Sequence, residues 1–408
     1  MEELDRRLLL GSVGFAGLAA LAASGRAGPI NPPAGSVAGT GRTLTEIEPR
    51  TPVGPATTPG NAQATYVISQ PGSYYLTGPI QGTAGKHGVM INADGVTLDL
   101  MGFEVTGTGG NGALDGGPSG IFAQSRRGIA VFNGSLRLWA MAGVDVDGGS
   151  GLVSMVRAHQ CGYAGISVGE GSAVLDCVAS QCYYGIYAPG GATLSRCSTY
   201  TSARFGIFVG PGSQVSECVT SVGTLGGFTA SGPAVFRGCS SHSNSGTAFK
   251  AEAGALYVDC LAYDNGGLGY DTASYATLQR CFARNNTGGG IKVGDGSTII
   301  DCTSVSNLGH GIDAVSRVSI RGCTCDTNGG STHGINVSGI RCRIEGNHAA
   351  GNRNGINVTG TANLIVRNTV TGNTQFGYSI ATGNLFGPNV FNQSGLTSNA
   401  NPQANYEY

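Results

Sequence analysis

The chain has 408 residues, 71 of them Gly and only 12% charged, against usual shares of roughly 7% and roughly 25%. Lys plus Arg number 23 and Asp plus Glu 24, so the net charge is −1; this excludes nucleic acid as the main partner, because phosphate binding needs a basic excess. The absence of a strict Gly-x-y period excludes collagen, and few Leu, Glu and Lys beside much Gly, Ser, Thr, Val and Asn argue against a helical protein.

Residues 1–27 read as an export signal. Arg6 and Arg7 precede an apolar or small run from Leu8 to Ala23, too short for a comfortable membrane span. Small residues around Ala20, Ala22 and Ala27 suit a signal peptidase. The stretch Asp5-Arg6-Arg7-Leu8-Leu9 resembles a twin-arginine signal, a route that exports folded proteins. The expectation is a secreted, periplasmic or cell-surface protein with no membrane span in the mature chain. Residues 28–61 are rich in Pro and read as an extended segment. A periodic region follows over 62–396, and 397–408 read as a tail.

The period shows in three columns. Cys177, Cys197, Cys218, Cys239, Cys260, Cys281, Cys302 and Cys323 are spaced by 20 and then by 21 throughout. A small-then-apolar pair keeps the same beat, from Gly143-Val144 through Gly206-Ile207 and Gly290-Ile291 to Gly377-Tyr378. Asn244, Asn265, Asn286, Asn307 and Asn328, then Asn352 and Asn373, form the third column. Such a coil holds two or three short strands, each pairing with its equivalent one coil later, which is a parallel β-helix. The leucine-rich repeat has a similar period but needs Leu at fixed places that this chain lacks. The expectation is an all-β, single-stranded solenoid of about 13–14 coils. The Asn column reads as an inward corner of stacked amides. The Cys column reads as an interior stack of mostly free thiols, because in-register neighbours on parallel strands seldom have disulfide geometry. Cys161 and Cys182 read as a shorter second stack.

With these columns and the opening Gly95-Val96-Thr97-Leu98-Asp99-Leu100-Met101-Gly102-Phe103, the chain resembles the right-handed parallel β-helix proteins of the pectate-lyase-like superfamily over about residues 62–396. The resemblance implies the right-handed fold and a polysaccharide partner. Gly309-His310-Gly311 resembles the Gly-His-Gly of polygalacturonase-like hydrolases, but the other parts of that pattern are absent. Gly266–Asp271 imitates a calcium-binding nonapeptide once, without tandem copies. No cofactor is expected, calcium is left open, and no metal site is assigned.

Strand alternation turns the residue after each small-apolar pair outward. That column reads Asp145, Ser167, Tyr187, Phe208, Thr229, Lys250, Asp271, Lys292, Asp313, Asn336, Asn357 and Ser379. Lys250, Asp271, Lys292 and Asp313, with His310 three residues before the column, are the candidate catalytic residues. Asp313 is favoured, with a single lysine neighbour and His310 nearby. Tyr187, Phe208, His333 and Asn336 are the candidate substrate-binding residues, the two aromatics as a sugar-stacking platform. Alternating Lys and Asp is also what charge pairing alone would select. A second outward strip holds Tyr200, His242, Tyr263, Arg284 and Asp326. Thr106–Ser119, with Asp115, and Gly329–Thr332 are insertions, where solenoids often carry function.

These features leave three readings. One is a secreted protein that binds and cleaves polysaccharide as a lyase or glycoside hydrolase. The others are a non-catalytic glycan-binding or adhesion module and a structural cell-surface solenoid. A monomer is expected, since both ends read as caps that block stacking.

Overall fold

The computed structural model describes residues 48–109, 116–391 and 401–408. The leader expected over residues 1–27, most of the Pro-rich segment, Asp115 and the first part of the tail lie outside these residues. No α-helix occurs among the described residues. The described residues from Arg50 to Tyr408 form a parallel solenoid. One face is a fifteen-stranded sheet running from Ala64–Ile68 to Phe376–Ile380, and the remaining strands of each coil make a thirty-stranded sheet. Thirteen of the fifteen strands lie from Ile121–Ala123 onward, as the period implies, but two rather than one precede them, Ala64–Ile68 and His87–Ile91. The solenoid is thus longer than the 13–14 coils expected. Pairing also reaches beyond 62–396, since Thr51–Val53 pairs with Gly72–Leu76 and Asn405–Glu407 pairs with Thr369–Thr371.

The interior is a continuous apolar column capped at its corners by ladders of small polar groups. The Gly of the repeating pair is set by close approach. A Cβ at Gly355 would lie 2.7 Å from the carbonyl oxygen of Gly377 and 2.8 Å from Asn373 Nδ2. In the Asn column each amide nitrogen donates to the Oδ1 of the next Asn, at 2.9 Å from Asn244 through Asn328 and at 3.2 and 3.3 Å on to Asn352 and Asn373. The same oxygens accept the backbone N–H of the preceding Asn. Each amide thereby satisfies a turn that would otherwise bury unpaired backbone groups.

Two further ladders were not read from the sequence. Asn347 donates to Asn368 and Asn368 to Asn405, at 3.0 and 3.2 Å, and Asn363 donates to Asn384 at 3.0 Å. The first continues the cysteine column, because the backbone N–H of Cys323 donates to Asn347 Oδ1 at 2.9 Å. Cys161 and Cys182 occupy the start of the Asn column: the N–H one place beyond Cys161 bonds the Trp139 carbonyl, and the N–H beyond Ser202 bonds that of Cys182.

All twelve cysteines are buried and free. Burial pushes the Cys325 thiol well above its ordinary value, and the stacked thiols share that dry interior.

Two outcomes follow. Native protein should react with an aromatic disulfide reagent at none of its thiols, and unfolded protein at all twelve. Asn286→Ala removes the acceptor of the Asn265 backbone N–H, while Asn265 Nδ2 keeps the carbonyls of Ser241 and Tyr263 and Asn307 Oδ1 keeps the backbone N–H of residue 286. The substitution should lower stability by about 1–3 kcal/mol for the buried N–H left unpaired, read as a fall in urea midpoint.

Candidate functional site

The outward column is in register along the fifteen-stranded sheet, as alternation requires. Its N-terminal part alternates between large and small side chains. Phe122 pairs with Asp145, Asp145 with Ser167, and Ser167 with Tyr187. Three strand steps of about 4.8 Å separate the rings of Phe122 and Tyr187 by about 14 Å. Tyr187 and Phe208, adjacent in the column, stack one step apart, whereas no ring of the column stands over Asp145 or the buried Ser167.

Other residues close the ends and walls. His87 stacks on Phe122, with centroids 4.0 Å apart and planes at 11°. Its Nδ1 accepts the backbone N–H of Ser119 at 3.0 Å, and burial pushes its pKa down. Phe208 stacks on Tyr187 at 5.2 Å and 17°. The pair is therefore not the open platform expected from the sequence: each covers a face of the other, and Tyr184 also packs against Tyr187, with centroids 4.9 Å apart. Tyr163 stands edge-on to Tyr187 at 5.4 Å and 67°; burial, then its bond to Tyr187, raises its pKa. Gly116 and Gly117, from the insertion flagged in the sequence, complete the wall. The cleft encloses about 750 Å³, within the usual range for ligand sites of roughly 300–1,000 Å³.

Asp145 stands on the floor, with Asp147 and Glu170 at the rim. Burial pushes the Asp145 pKa up to about 6, the charge of Asp147 adds to this, and the Ser167 hydroxyl opposes it. Asp147 Oδ1 accepts the backbone N–H of Ser125 at 2.6 Å. Sequence reading named Asp145 only as a column member; it missed Asp147, Glu170, Tyr163 and a site role for His87. The signal that could have found them is the large-small-small-large order Phe122, Asp145, Ser167, Tyr187. A second hollow, of about 640 Å³ beside Cys161, Cys182 and Gln181, is lined by no carboxylate, Lys, Arg or His.

The sequence-predicted catalytic group lies elsewhere. From Tyr187 the column passes Phe208, Thr229, Lys250, Asp271 and Lys292 before Asp313. Those six steps of about 4.8 Å amount to about 29 Å, so one reaction centre cannot include both regions. Lys250 and Lys292 are exposed and Asp271 and Asp313 half-buried. Although in register, none of the four joins an ion pair among the described residues. Asp313 Oδ1 accepts from Asn336 Nδ2 at 2.8 Å, and Asn336 Oδ1 from Asn357 Nδ2 at 2.8 Å. His310 and His333 stack at 5.1 Å and 20°, and His310 Nδ1 accepts the backbone N–H of His333 at 3.1 Å. Burial, then His310, lowers the His333 pKa to about 4. The structure thus brings the two histidines together and Asp313 with Asn336, without a hydrogen bond from His310 to Asp313. In the second strip His242 and Tyr263 stack at 4.8 Å and 12°, while Tyr200 and Arg284 are exposed. No group of three or more His, Cys, Asp or Glu able to hold a metal occurs among the described residues.

A parallel solenoid with an acid-floored, ring-walled cleft on one sheet defines the structural class. The family described as "Right handed beta helix region" matches residues 142–269, 191–324 and 266–406. This is more than half of the chain, which belongs to that family. No curated protein sequence matches the chain. Among solved structures, the Azotobacter vinelandii mannuronan C-5 epimerase AlgE4 A-module is similar at 14% identity, with 76% of this chain and 91% of that one covered and a TM-score of 0.43. The periplasmic alginate epimerase AlgG is similar at 10% identity, covering 87% and 80%, with a TM-score of 0.35. The Dettilon tailspike protein is similar at 12% identity, covering 85% and 60%, with a TM-score of 0.34. Likenesses at these values assign no role to any residue of this chain.

Asp145 gives the cleft a pH signature. A carboxyl with a raised folded-state pKa binds its proton more tightly when folded. The folded state is favoured while that proton is on, and the advantage is lost as pH rises from about 4 through about 6. Asp145→Asn should therefore raise stability at neutral pH by about 2 kcal/mol, with the difference vanishing below about pH 4. Melting temperatures of both proteins across that range check this.

Proposed function

We propose that this chain binds a polysaccharide in the cleft between Phe122 and Tyr187 and cleaves it there, with Asp145 as the proton donor to the leaving oxygen. The observation that carries the reading is a half-buried carboxyl in a ring-walled cleft, with its pKa raised to about 6. A sugar ring presents an apolar C–H face and a hydroxyl rim, so aromatic faces at the ends and carboxylates along the rim meet both needs. General acid catalysis works best when the acid's pKa lies near the working pH.

Asp147, in the turn just past the strand that carries Asp145 and lining the same cleft, is the companion carboxylate that draws a proton from the attacking water. Two carboxyl groups in unlike environments, one with its pKa raised by burial and one exposed, divide the acid and base roles. Lys250, Asp271, Lys292 and Asp313 extend the same outward strip and serve as further binding positions for a long chain. We read the protein as exported, on the leader sequence alone, and as a monomer.

The test is incubation of the purified protein with a polysaccharide panel, following new reducing ends and sedimentation with insoluble substrate. The reading expects both signals, with kcat falling as pH rises through about 6 because Asp145 must carry its proton. Asp145→Asn should lower kcat by about 10²–10⁴-fold with binding retained. Binding without new ends would remove the catalytic role and leave a glycan-binding module. Ser167→Phe sets a ring against Tyr187 at a buried position and should abolish retention at a temperature where its melting curve shows it still folded; unchanged retention would move the binding site off the cleft.

A further inference from the structure

The charge of the cleft narrows the class of glycan. Asp145, Asp147 and Glu170 line it, and no Lys or Arg does. None of the three carboxyl groups joins an ion pair among the described residues. The one basic ring in the lining, His87, is pushed toward its neutral form by burial. Two arginines lie near: Arg126, next to the Ser125 whose N–H bonds Asp147, does not line the cleft, and Arg204 of the aromatic cluster is engaged elsewhere. Its guanidinium lies 5.4 Å from the ring centroids of both Tyr184 and Phe205 and bonds the Tyr184 hydroxyl.

A cleft walled by low-dielectric rings and lined by one sign of charge concentrates ligands of the opposite sign and repels those of its own. A polyuronate brings a carboxylate on every residue. It would meet unpaired carboxylates and find no guanidinium, ammonium or charged imidazole to neutralise it, a mismatch that costs affinity at each contact. A glycan with free amino groups reverses every one of these contacts. Its ring faces still suit Phe122 and Tyr187, while its ammonium groups reach Glu170 and Asp147 at the rim.

We propose that the cleft selects an amine-bearing polysaccharide, a polymer of deacetylated hexosamine, over neutral and acidic ones. This rests on the polysaccharide reading above and assigns that same site its substrate class.

The experiment is calorimetric titration of the full protein with three oligosaccharides of equal length: a glucosamine oligomer, a neutral glucan oligomer and a galacturonate oligomer. It is run at mildly acidic pH, in low and then high salt. The expected result is tightest binding to the glucosamine oligomer, by roughly tenfold or more over the galacturonate oligomer at low salt, with the preference shrinking as salt rises. Asp147→Asn with Glu170→Gln should bring the three affinities together. Equal or tighter binding of the neutral or acidic oligomer to the unmodified protein overturns the amine preference and leaves the polysaccharide reading standing. A preference indifferent to both salt and the double substitution also overturns it. No binding of any oligomer overturns both.

Discussion

Every residue of the solenoid stands over its counterpart one coil earlier, about 4.8 Å away, and this in-register stacking governs everything else. A side chain is accepted at a corner only if it tolerates a copy of itself as neighbour. Asn meets that demand because one amide carries both donor and acceptor, so Asn265 accepts from Asn244 while donating to Asn286. A thiol meets it by being small and uncharged, and the cysteine column passes into amides at Asn347 without breaking the line. Flat rings meet it by stacking, as Phe228, Phe249 and Tyr270 do in the interior at 4.8 and 5.0 Å. Charges meet it only by alternating in sign, and at the exposed turns Arg196 pairs with Asp176 and Arg280 with Asp259. Those exposed pairs contribute little energy each; their alternation keeps like charges apart.

The cleft arises where the column departs from this economy of like upon like. Ring, carboxyl, hydroxyl, ring is a sequence of poor stacking partners, and it leaves open space in place of contact. Asp145 is a local conflict as well, a carboxyl desolvated beside the charge of Asp147. Conflicts of this kind mark functional positions, since the surrounding structure must hold them at a cost in stability. The strip from Lys250 to Asp313 shows no such tension. Its residues alternate in sign and reach outward without ion pairs, and Asp313 is tied into an amide chain through Asn336 and Asn357.

Most of the fold was legible because its grammar is one-dimensional. The spacing of Cys197, Cys218 and Cys239 gives the coil length, and the Gly-apolar pairs give the register of the fifteen-stranded sheet. The first coil escaped notice because Ala64–Ile68 carries no Gly-apolar pair, Cys or Asn on the beat. The ladders of Asn347 and Asn363 escaped because each column changes residue type on the way. The candidate site was less legible for a different reason. A column shows which residues are neighbours along the solenoid but not how deep each lies. Asp145 looks like any outward residue until Tyr163, from a different position in the next coil, and Gly116–Gly117, from an insertion, rise beside it. Attention to charge and His led instead to Asp313 and His310, on a strand about 29 Å beyond Tyr187 by strand count.

The central claim is that the gap between Phe122 and Tyr187 is where a sugar chain sits. A crystal structure of the Asp145→Asn protein soaked with the best-binding oligosaccharide tests it most directly. The claim predicts sugar rings lying between Phe122 and Tyr187, with a glycosidic oxygen within hydrogen-bond reach of residue 145. Sugar density confined to the strip over Lys250, Lys292 and Asn336, with the gap above Ser167 holding none, would contradict it.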